Sequence, residues 1–241
     1  MRRLLAFAAV AGLASWASAG VNGDRLGTFD PTPPDNSTHS VPTEDFAVVP
    51  PAGWTVVNNS APIGTINWFQ GNSAVFSAQS GGVNSYAGCN FNSGAGTATI
   101  SDWMITPQFN LGAGDVVHFW TRTTTGTFPD RLQLRFSPTG GANTGGTATS
   151  TGDFSTLLLD INPTYTTTGY PLVWTEFTAA IPVNAPSGRL AFRYFVENGG
   201  PSGANSDYIG VDTFSVVSVP EPASIGLLGL ATMTLARRRR A

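Results

Sequence analysis

Few side chains in this sequence could act as nucleophile or base, and they lie far apart. The chain has a single cysteine, Cys89, and two histidines, His39 and His118. A cysteine nucleophile needs an imidazole within hydrogen-bond reach and surroundings that stabilise its thiolate. His39 lies in an irregular segment and Cys89 in an asparagine-rich strand pattern, so the local sequence favours a passive thiol. A single cysteine also excludes an intramolecular disulfide.

Paired carboxylates are a second kind of chemistry that the composition allows. Hydrolysis of a glycosidic bond needs two of them on either side of the bond. The acids that a fold could bring together are Asp102, Asp115, Asp130, Asp153, Asp160 and Glu176. Most acids in such a chain are turn residues or solvated, so we predict a non-enzymatic protein. A secreted glycoside hydrolase is the alternative.

Residues 115–123 alternate as a strand does, and one face carries His118, Trp120 and Arg122. The opposite face is apolar apart from threonine. If the apolar face covers a core, Trp120 is left outside beside an imidazole and a guanidinium, where its ring can stack on a sugar. This arrangement would fit a carbohydrate-binding accessory domain, which is the alternative to a structural or adhesive role. Core packing of Trp120 is the default expectation, since tryptophan is mostly buried on average.

The elements that would position these residues are short strands. Apolar or alternating runs are separated by Gly, Asn and Pro, which is typical of strands and turns. The predicted strands are 46–49, 54–57, 67–70, 74–78, 86–91, 103–106, 115–123, 131–137, 156–160, 175–181, 189–197 and 208–217. In 131–136, leucine and phenylalanine alternate with arginine and glutamine, as in a strand that covers a core on one side.

These patterns predict an all-β protein, an antiparallel jelly-roll-like β-sandwich. The connection at 140–152 is small and polar, and we expect it to be a mobile surface loop. Residues 20–43 are rich in Pro, Asp, Ser and Thr and are predicted to be an irregular lead-in. The domain itself is predicted to span 44–218.

Both ends of the chain have the composition of export signals. Two arginines and an apolar run open the sequence, and Ala17 and Ala19 form a small-x-small site for signal peptidase. We therefore predict a signal peptide at 1–19. At the other end, Pro220, Glu221 and Pro222 precede an apolar run and four arginines, Arg237, Arg238, Arg239 and Arg240.

The apolar run covers residues 223–236 and as a helix would reach only about 21 Å, short of a hydrocarbon core of about 30 Å. Its arginines would stay in the cytoplasm. We predict a short transmembrane-like helix that holds the protein in the inner membrane transiently. An ordinary tail anchor or a docked terminal helix is the alternative.

Without both end segments, the remaining body has six arginines, fourteen acids and a net charge of −8. No lysine occurs in the chain. Such a body is not a nucleic-acid-binding protein. Its polar, weakly charged surface suits a hydrated matrix, and its acidic excess allows calcium binding.

The Pro-Glu-Pro motif, the apolar run and the arginine cluster resemble the PEP-CTERM sorting signal of Gram-negative bacteria that make extracellular polysaccharide. This resemblance implies that residues 219–241 are a sorting signal and that an exosortase processes the chain at the motif. It implies a location in the cell envelope, on the outer surface or in the extracellular matrix, and an association with polysaccharide.

The body resembles the choice-of-anchor J domain, which is similar to cleaved-adhesin and MAM-like sandwiches. The resemblance rests on residues 51–60, 67–71, 100–107, 129–135 and 210–214. It implies a sandwich at the cell surface with a structural or adhesive role.

Related sandwiches often hold calcium near their chain ends, and the matching ligands here would be Glu44 or Asp45 and Asp212. The neutral Asn58-Asn59-Ser60 stands where those relatives often have an acidic loop, which should weaken a calcium site. The alternative is that Asp45 and Asp212 only hydrogen-bond strand ends.

Overall fold

Strands form in this chain where short apolar runs alternate with turn residues. A computed structural model of the protein describes residues 42–218, which contain thirteen strands and a 3-10 helix at Phe91–Ser93. The strands are β1 (Thr43–Glu44), β2 (Thr55–Asn58), β3 (Ala61–Ile63), β4 (Phe69–Gln70), β5 (Ala87–Asn90), β6 (Gly94–Ile105), β7 (Phe109–Leu111), β8 (Val116–Thr123), β9 (Leu132–Ser137), β10 (Thr156–Ile161), β11 (Thr175–Ala180), β12 (Ala185–Gly199) and β13 (Tyr208–Val217).

The predicted signal peptide, almost all of the lead-in and the predicted sorting signal lie outside the described residues. Within 42–218, no helix has the length and apolar character that a membrane crossing requires.

The strands form two sheets. Sheet A has the order β11-β8-β13-β5-β4, with β1 also paired to β13. Sheet B has the order β10-β9-β12-β6-β2, with β3 on β6 and β7 on β12. The strand pairs of both sheets are antiparallel. The predicted all-β antiparallel sandwich is therefore confirmed.

The core lies between the two sheets and has an aromatic centre. Phe192 on β12 of sheet B is fully buried and meets Phe119 and Phe214 of sheet A at ring-centroid distances of 5.0 and 5.9 Å. Trp54, just before β2, stacks on Phe192 at a ring-centroid distance of 6.5 Å. The packing of these rings stabilises the contact between the two sheets.

The side chains of β9 point alternately toward the core and away from it, as the sequence predicts. Leu132, Leu134 and Phe136 are buried in the core, and Arg135 is half-buried on the opposite side. Gln133 also faces away from the core, yet only 2% of its surface is exposed. It is buried because the connection between β9 and β10 folds over sheet B.

This connection is held more firmly than its composition predicts. Arg193 on β12 donates hydrogen bonds to the carbonyls of Ala148 and Ser150, and Asn59 donates to Thr144 and to Gly145. Small polar residues make a weak sequence signal, but their backbone carbonyls can accept hydrogen bonds from distant side chains. A mobile loop was expected here, and the structure shows an anchored one.

Two predicted strands do not form. The first, 46–49, begins at Phe46, whose φ of 51° breaks the extended conformation, and the short strand β1 forms before it instead. The second, 74–78, is a turn that places Phe76 in a buried cluster. Conversely, β6 begins at Gly94, well before the predicted start at 103, because β3 and β12 supply pairing partners for its glycine-rich first half.

Candidate functional site

The three predicted ligand residues lie together on the outer face of sheet A, the face turned away from sheet B. Along β8, buried and half-buried residues alternate strictly. The buried set includes Phe119 in the core, and the half-buried set contains His118, Trp120 and Arg122. Trp120 is therefore outside the core, so the core packing expected by default for a tryptophan is wrong here.

The neighbouring strands give each of these residues defined partners. His118 Nδ1 lies 3.0 Å from Glu176 Oε1 on β11. Trp120 lies in register between Glu176 on one side and Asp212 of β13 on the other. Arg122 donates from Nη2 to the carbonyl of Leu172, and this contact fixes the guanidinium over the sheet.

An aromatic cluster that the sequence did not predict lies next to Arg122. Its members are Phe69, Phe76, Tyr86, Trp174 and Tyr208, and we call it the outer aromatic cluster. The guanidinium of Arg122 lies 4.4 Å from the centroid of the Phe76 ring, a cation–π contact. The two tyrosine hydroxyls are 3.0 Å apart.

Gly210 on β13 is what allows this cluster to sit on the sheet. A Cβ at this position would come within 2.8 Å of the rings of both Phe76 and Trp174. A glycine inside a strand often marks such a close approach. That was the only sequence signal for the cluster, because Phe76 and Trp174 are separated by almost a hundred residues.

The half-buried aromatic residues of the outer face are Trp120 and, within the outer aromatic cluster, Phe69 and Trp174. The Phe76 ring is buried and the guanidinium of Arg122 is already bound to protein groups. Trp120 keeps a partly open ring, flanked by the His118–Glu176 pair.

The predicted calcium ligands lie at the edge of the same sheet. Glu44 Oε1 accepts a hydrogen bond from the Phe46 N–H, and Asp45 Oδ1 accepts one from the Ala47 N–H. Asp212 is fully buried, and its carboxylate accepts the backbone N–H groups of Gln79, Ser80 and Thr213. Burial raises the pKa of Asp212 to about 6, although these N–H groups oppose the shift.

Asp45 and Asp212 meet the same loop, since a Cβ at Gly81 would lie 4.0 Å from Asp45 Oδ2. However, among residues 42–218 no group of three or more His, Cys, Asp or Glu side chains could hold a metal ion. The carboxylate of Asp212 accepts three backbone N–H groups, which is the arrangement that the strand-end alternative describes. Calcium stays a prediction, and thermal melting in millimolar calcium tests it, since binding would raise Tm.

Cys89 has none of the properties of a nucleophile. It is fully buried on β5, and its Sγ lies 3.3 Å from Ser93 Oγ and 3.6 Å from Asp102 Oδ2. Burial, reinforced by the nearby Asp102 charge, raises the pKa of the Cys89 thiol well above its usual range. A thiol with a raised pKa is inert.

Three of the other candidate acids have partners that explain them. Asp160 forms a two-pronged contact with Arg131, at 2.8 and 2.6 Å. Asp153 accepts the N–H of Asn143 inside the β9–β10 connection. Asp130 is buried and accepts hydrogen bonds from Tyr194, Thr123 and the Asp207 N–H, while burial raises its pKa to about 6. These contacts hold loops and strand ends in place.

This sandwich has the fold of cleaved adhesin domains. It is similar to the K1 cleaved adhesin domain of Lys-gingipain from Porphyromonas gingivalis W83, with 21% identity and a TM-score of 0.54 over 75% of this chain and 99% of that one. The K2 domain of Lys-gingipain gives 22% identity and a TM-score of 0.52 over 75% and 99%. The K3 domain gives 21% and 0.50 over 74% and 98%.

The C-terminal segment is a PEP-CTERM protein-sorting motif, whose family model matches residues 218–240. The match contains Pro220, Glu221, Pro222 and all four arginines of the tail, so the predicted sorting signal is confirmed. Such motifs mark exported proteins that an exosortase processes. Among curated proteins, no sequence matches this chain.

Proposed function

We propose that this chain is a non-enzymatic protein of the Gram-negative cell envelope, outer surface or extracellular matrix, with a structural or adhesive role. The observation that carries the proposal is the combination of a sorting motif at 218–240 with an adhesin-type sandwich. In this account signal peptidase cleaves after Ala19, following Ala17, and the inner membrane holds the chain only transiently. Exosortase then acts at Pro220-Glu221-Pro222.

The contacts of the candidate catalytic residues support a non-enzymatic role. The thiol of Cys89 is buried and inert, and Asp160 and Asp153 are engaged in structural contacts. A glycoside hydrolase would need a pair of carboxyl groups facing one another across an accessible cleft. Asp102 and Asp130 are instead enclosed by the sandwich, where a polysaccharide cannot reach them.

Replacement of Glu221 by glutamine is expected to block processing, because the motif would lose the charge between its two prolines. The sandwich should remain folded, since residue 221 lies beyond β13. Cell fractionation and intact-mass measurement of the tagged protein should show a chain that keeps its tail in the inner membrane. The matched control is Glu197→Gln on the exposed end of β12, which should be processed normally. Normal delivery of the Glu221→Gln protein would contradict this role for the motif.

We further propose that the outer face of sheet A contacts extracellular polysaccharide through Trp120. The partly open ring and the adjacent His118–Glu176 pair support this role, since together they offer a stacking surface and hydrogen-bonding groups. Arg122 would act by holding the outer aromatic cluster in place rather than by touching the ligand.

Replacement of Trp120 by alanine is expected to weaken binding to the polysaccharide of the producing strain by about tenfold, the loss typical of one stacking ring. Co-sedimentation of the purified full chain with that polysaccharide measures the effect. Leu157→Ala is the matched control, because Leu157 is 44% exposed on sheet B. Equal binding by the Trp120→Ala and Leu157→Ala variants would show that this face is not the contact surface.

A further inference from the structure

A cavity of about 390 Å³ opens at one end of the sandwich, and Trp120 is not among the residues that line it. Two connections form its walls: residues 124–131 between β8 and β9, and residues 200–207 between β12 and β13. We call it the end cavity. Its volume lies in the range of about 300–1,000 Å³ that is usual for small-molecule sites. It has no part in the function proposed above.

Hydrogen bonds fix both walls of the end cavity. Thr124 Oγ1 donates to Asp207 Oδ2 at 2.8 Å, and the Ser206 N–H donates to the carbonyl of Pro129 at 3.0 Å. These two bonds join one wall to the other. The Ser202 N–H also donates to the carbonyl of Gly96 on β6, which ties the second wall to sheet B. The cavity is therefore formed before any ligand arrives, which lowers the entropic cost of binding.

Hydrogen bonds also fix the end of the 200–207 connection, next to β13. The N–H of Asp207 donates to the buried carboxylate of Asp130 at 2.8 Å. Ser206, next to it, has a φ of 75°, a conformation that costs energy in a residue other than glycine. The surrounding bonds hold the chain in that conformation and so set the direction in which the Asp207 side chain leaves the backbone.

The lining combines apolar rings with hydrogen-bonding groups. Phe128 is 51% exposed, and Phe91 of the 3-10 helix is half-buried beside the same space. Asp207 contributes a carboxylate and Thr127 a hydroxyl, and three glycines leave room for a ligand to approach the backbone. Among the described residues that line the cavity, none is basic.

A neutral sugar ring matches this lining. A pyranose presents C–H groups on its flat faces and hydroxyls around its edge, so it can stack on a phenyl ring while its hydroxyls donate to a carboxylate. An acidic sugar would place its charge next to Asp207 without a cation to offset it. A purely apolar ligand would desolvate Asp207 and give it no hydrogen bond in return.

We propose that the end cavity binds a neutral hexose unit of an extracellular glycan, with Phe128 as the stacking ring and Asp207 as the hydrogen-bond acceptor. The choice of a glycan, rather than another neutral polyol, rests on the proposed function in an extracellular polysaccharide matrix. The site is separate from Trp120, so the two can be tested one at a time.

Isothermal titration calorimetry of the purified full chain with the neutral tetrasaccharides cellotetraose, mannotetraose and galactotetraose tests the proposal. At least one should bind, and tetragalacturonate should not displace it. Phe128→Ala should weaken binding about tenfold or more, whereas Phe128→Tyr, which keeps the ring, should stay within about twofold of the parent. Because Phe128 is exposed, both variants should melt as the parent does.

Two results would overturn the proposal: no binding of any neutral tetrasaccharide, or equal affinity in Phe128→Ala and the parent. Preference for tetragalacturonate or for an amine such as lysine would overturn it as well. Leu157→Ala, changed on sheet B outside both sites, should bind the tetrasaccharides normally, and Trp120→Ala is measured beside it to separate this site from the outer face. If only Trp120→Ala loses binding, the end cavity is not the site, but the proposed surface role stands. If exosortase processing fails while Phe128-dependent binding persists, the proposed function fails and the cavity assignment stands.

Discussion

Replacement of Phe192 by alanine is expected to lower the free energy of unfolding by about 3–5 kcal/mol, the range for removing a fully buried phenylalanine. Phe192 has no exposed surface and contacts rings from both sheets. Trp54, Phe119 and Phe214 around it are themselves buried, so they cannot move far enough to fill the space. The loss of unfolding free energy should therefore lie toward the upper end of the range for Phe→Ala substitutions.

Urea unfolding followed by tryptophan fluorescence measures this loss. Phe128→Ala is the matched control, because it removes the same ring from a site that is 51% exposed, and its effect should stay within about 0.5 kcal/mol. A Phe192→Ala protein as stable as the control would contradict the description of the core.

Replacement of Asp102 by asparagine is expected to stabilise the protein at pH 8 by up to about 4 kcal/mol. Asp102 lies inside the sandwich and is fully buried. Burial raises its pKa to about 7, against hydrogen bonds from Ser93 and Cys89 that favour the charged form. Among the described residues, Oδ1 of this carboxylate has no hydrogen-bond partner. At pH 8 the native state therefore holds a buried, incompletely satisfied charge.

The direction of the pH dependence follows from the pKa of Asp102 in the folded and in the unfolded chain. The unfolded chain releases the Asp102 proton near the ordinary value of 3.8, and the folded chain releases it near 7. Between these values the folded state binds more protons, so its stabilisation is complete below pH 4 and is lost as the pH rises to about 7. Asp130 and Asp212, with pKa values raised by burial to about 6, act in the same direction.

Chemical unfolding at a series of pH values from 4.5 to 8.5 tests this dependence. The parent protein should lose stability from pH 4.5 to about pH 7 and change little above it, and Asp102→Asn should flatten the part between pH 6 and 7. Ser93→Ala is a useful second variant, because it removes a hydroxyl that donates to Oδ2 and should raise the pKa of Asp102 further. A parent protein that gains stability toward pH 8 would contradict a buried, protonated Asp102.

Alternation along the sequence predicted β8 well because one of its faces lies in the core and the other is half-buried. The limits of β13 agree with the prediction, and β8 places Trp120 on the predicted face. In such strands the type of each residue depends on whether its side chain faces the core or the solvent. The strand can therefore be predicted without knowing its partner strand.

The parts that the sequence did not predict depend on distant partners. The first half of β6 is rich in glycine, and it is a strand only because β3 and β12 pair with it. Phe76 looked like a strand residue, but it is buried against Gly210, far along the chain. The β9–β10 connection is held by Arg193, which the sequence shows only as one of several polar residues on a strand.

The candidate sites also differ in whether the local sequence predicts them or whether they depend on residues far apart in the chain. The sorting motif is local, and its order of prolines, apolar run and arginines could be recognised from residues alone. The end cavity is formed by two connections that meet in space, and its residues Phe128 and Asp207 have no periodic pattern. The calcium prediction came from a resemblance, and the surroundings of Asp212 show how backbone N–H groups can satisfy the same carboxylate.

The most direct test of the account is the intact mass of the mature protein from the cell surface, compared between a strain with exosortase and one without it. With exosortase, we expect a chain that starts near Gly20 and ends close to Pro220, found at the surface or in the polysaccharide matrix. Without exosortase, the chain should keep residues up to Ala241 and remain in the inner membrane. An identical C-terminus and location in both strains would contradict the claim that the tail is a processed sorting signal.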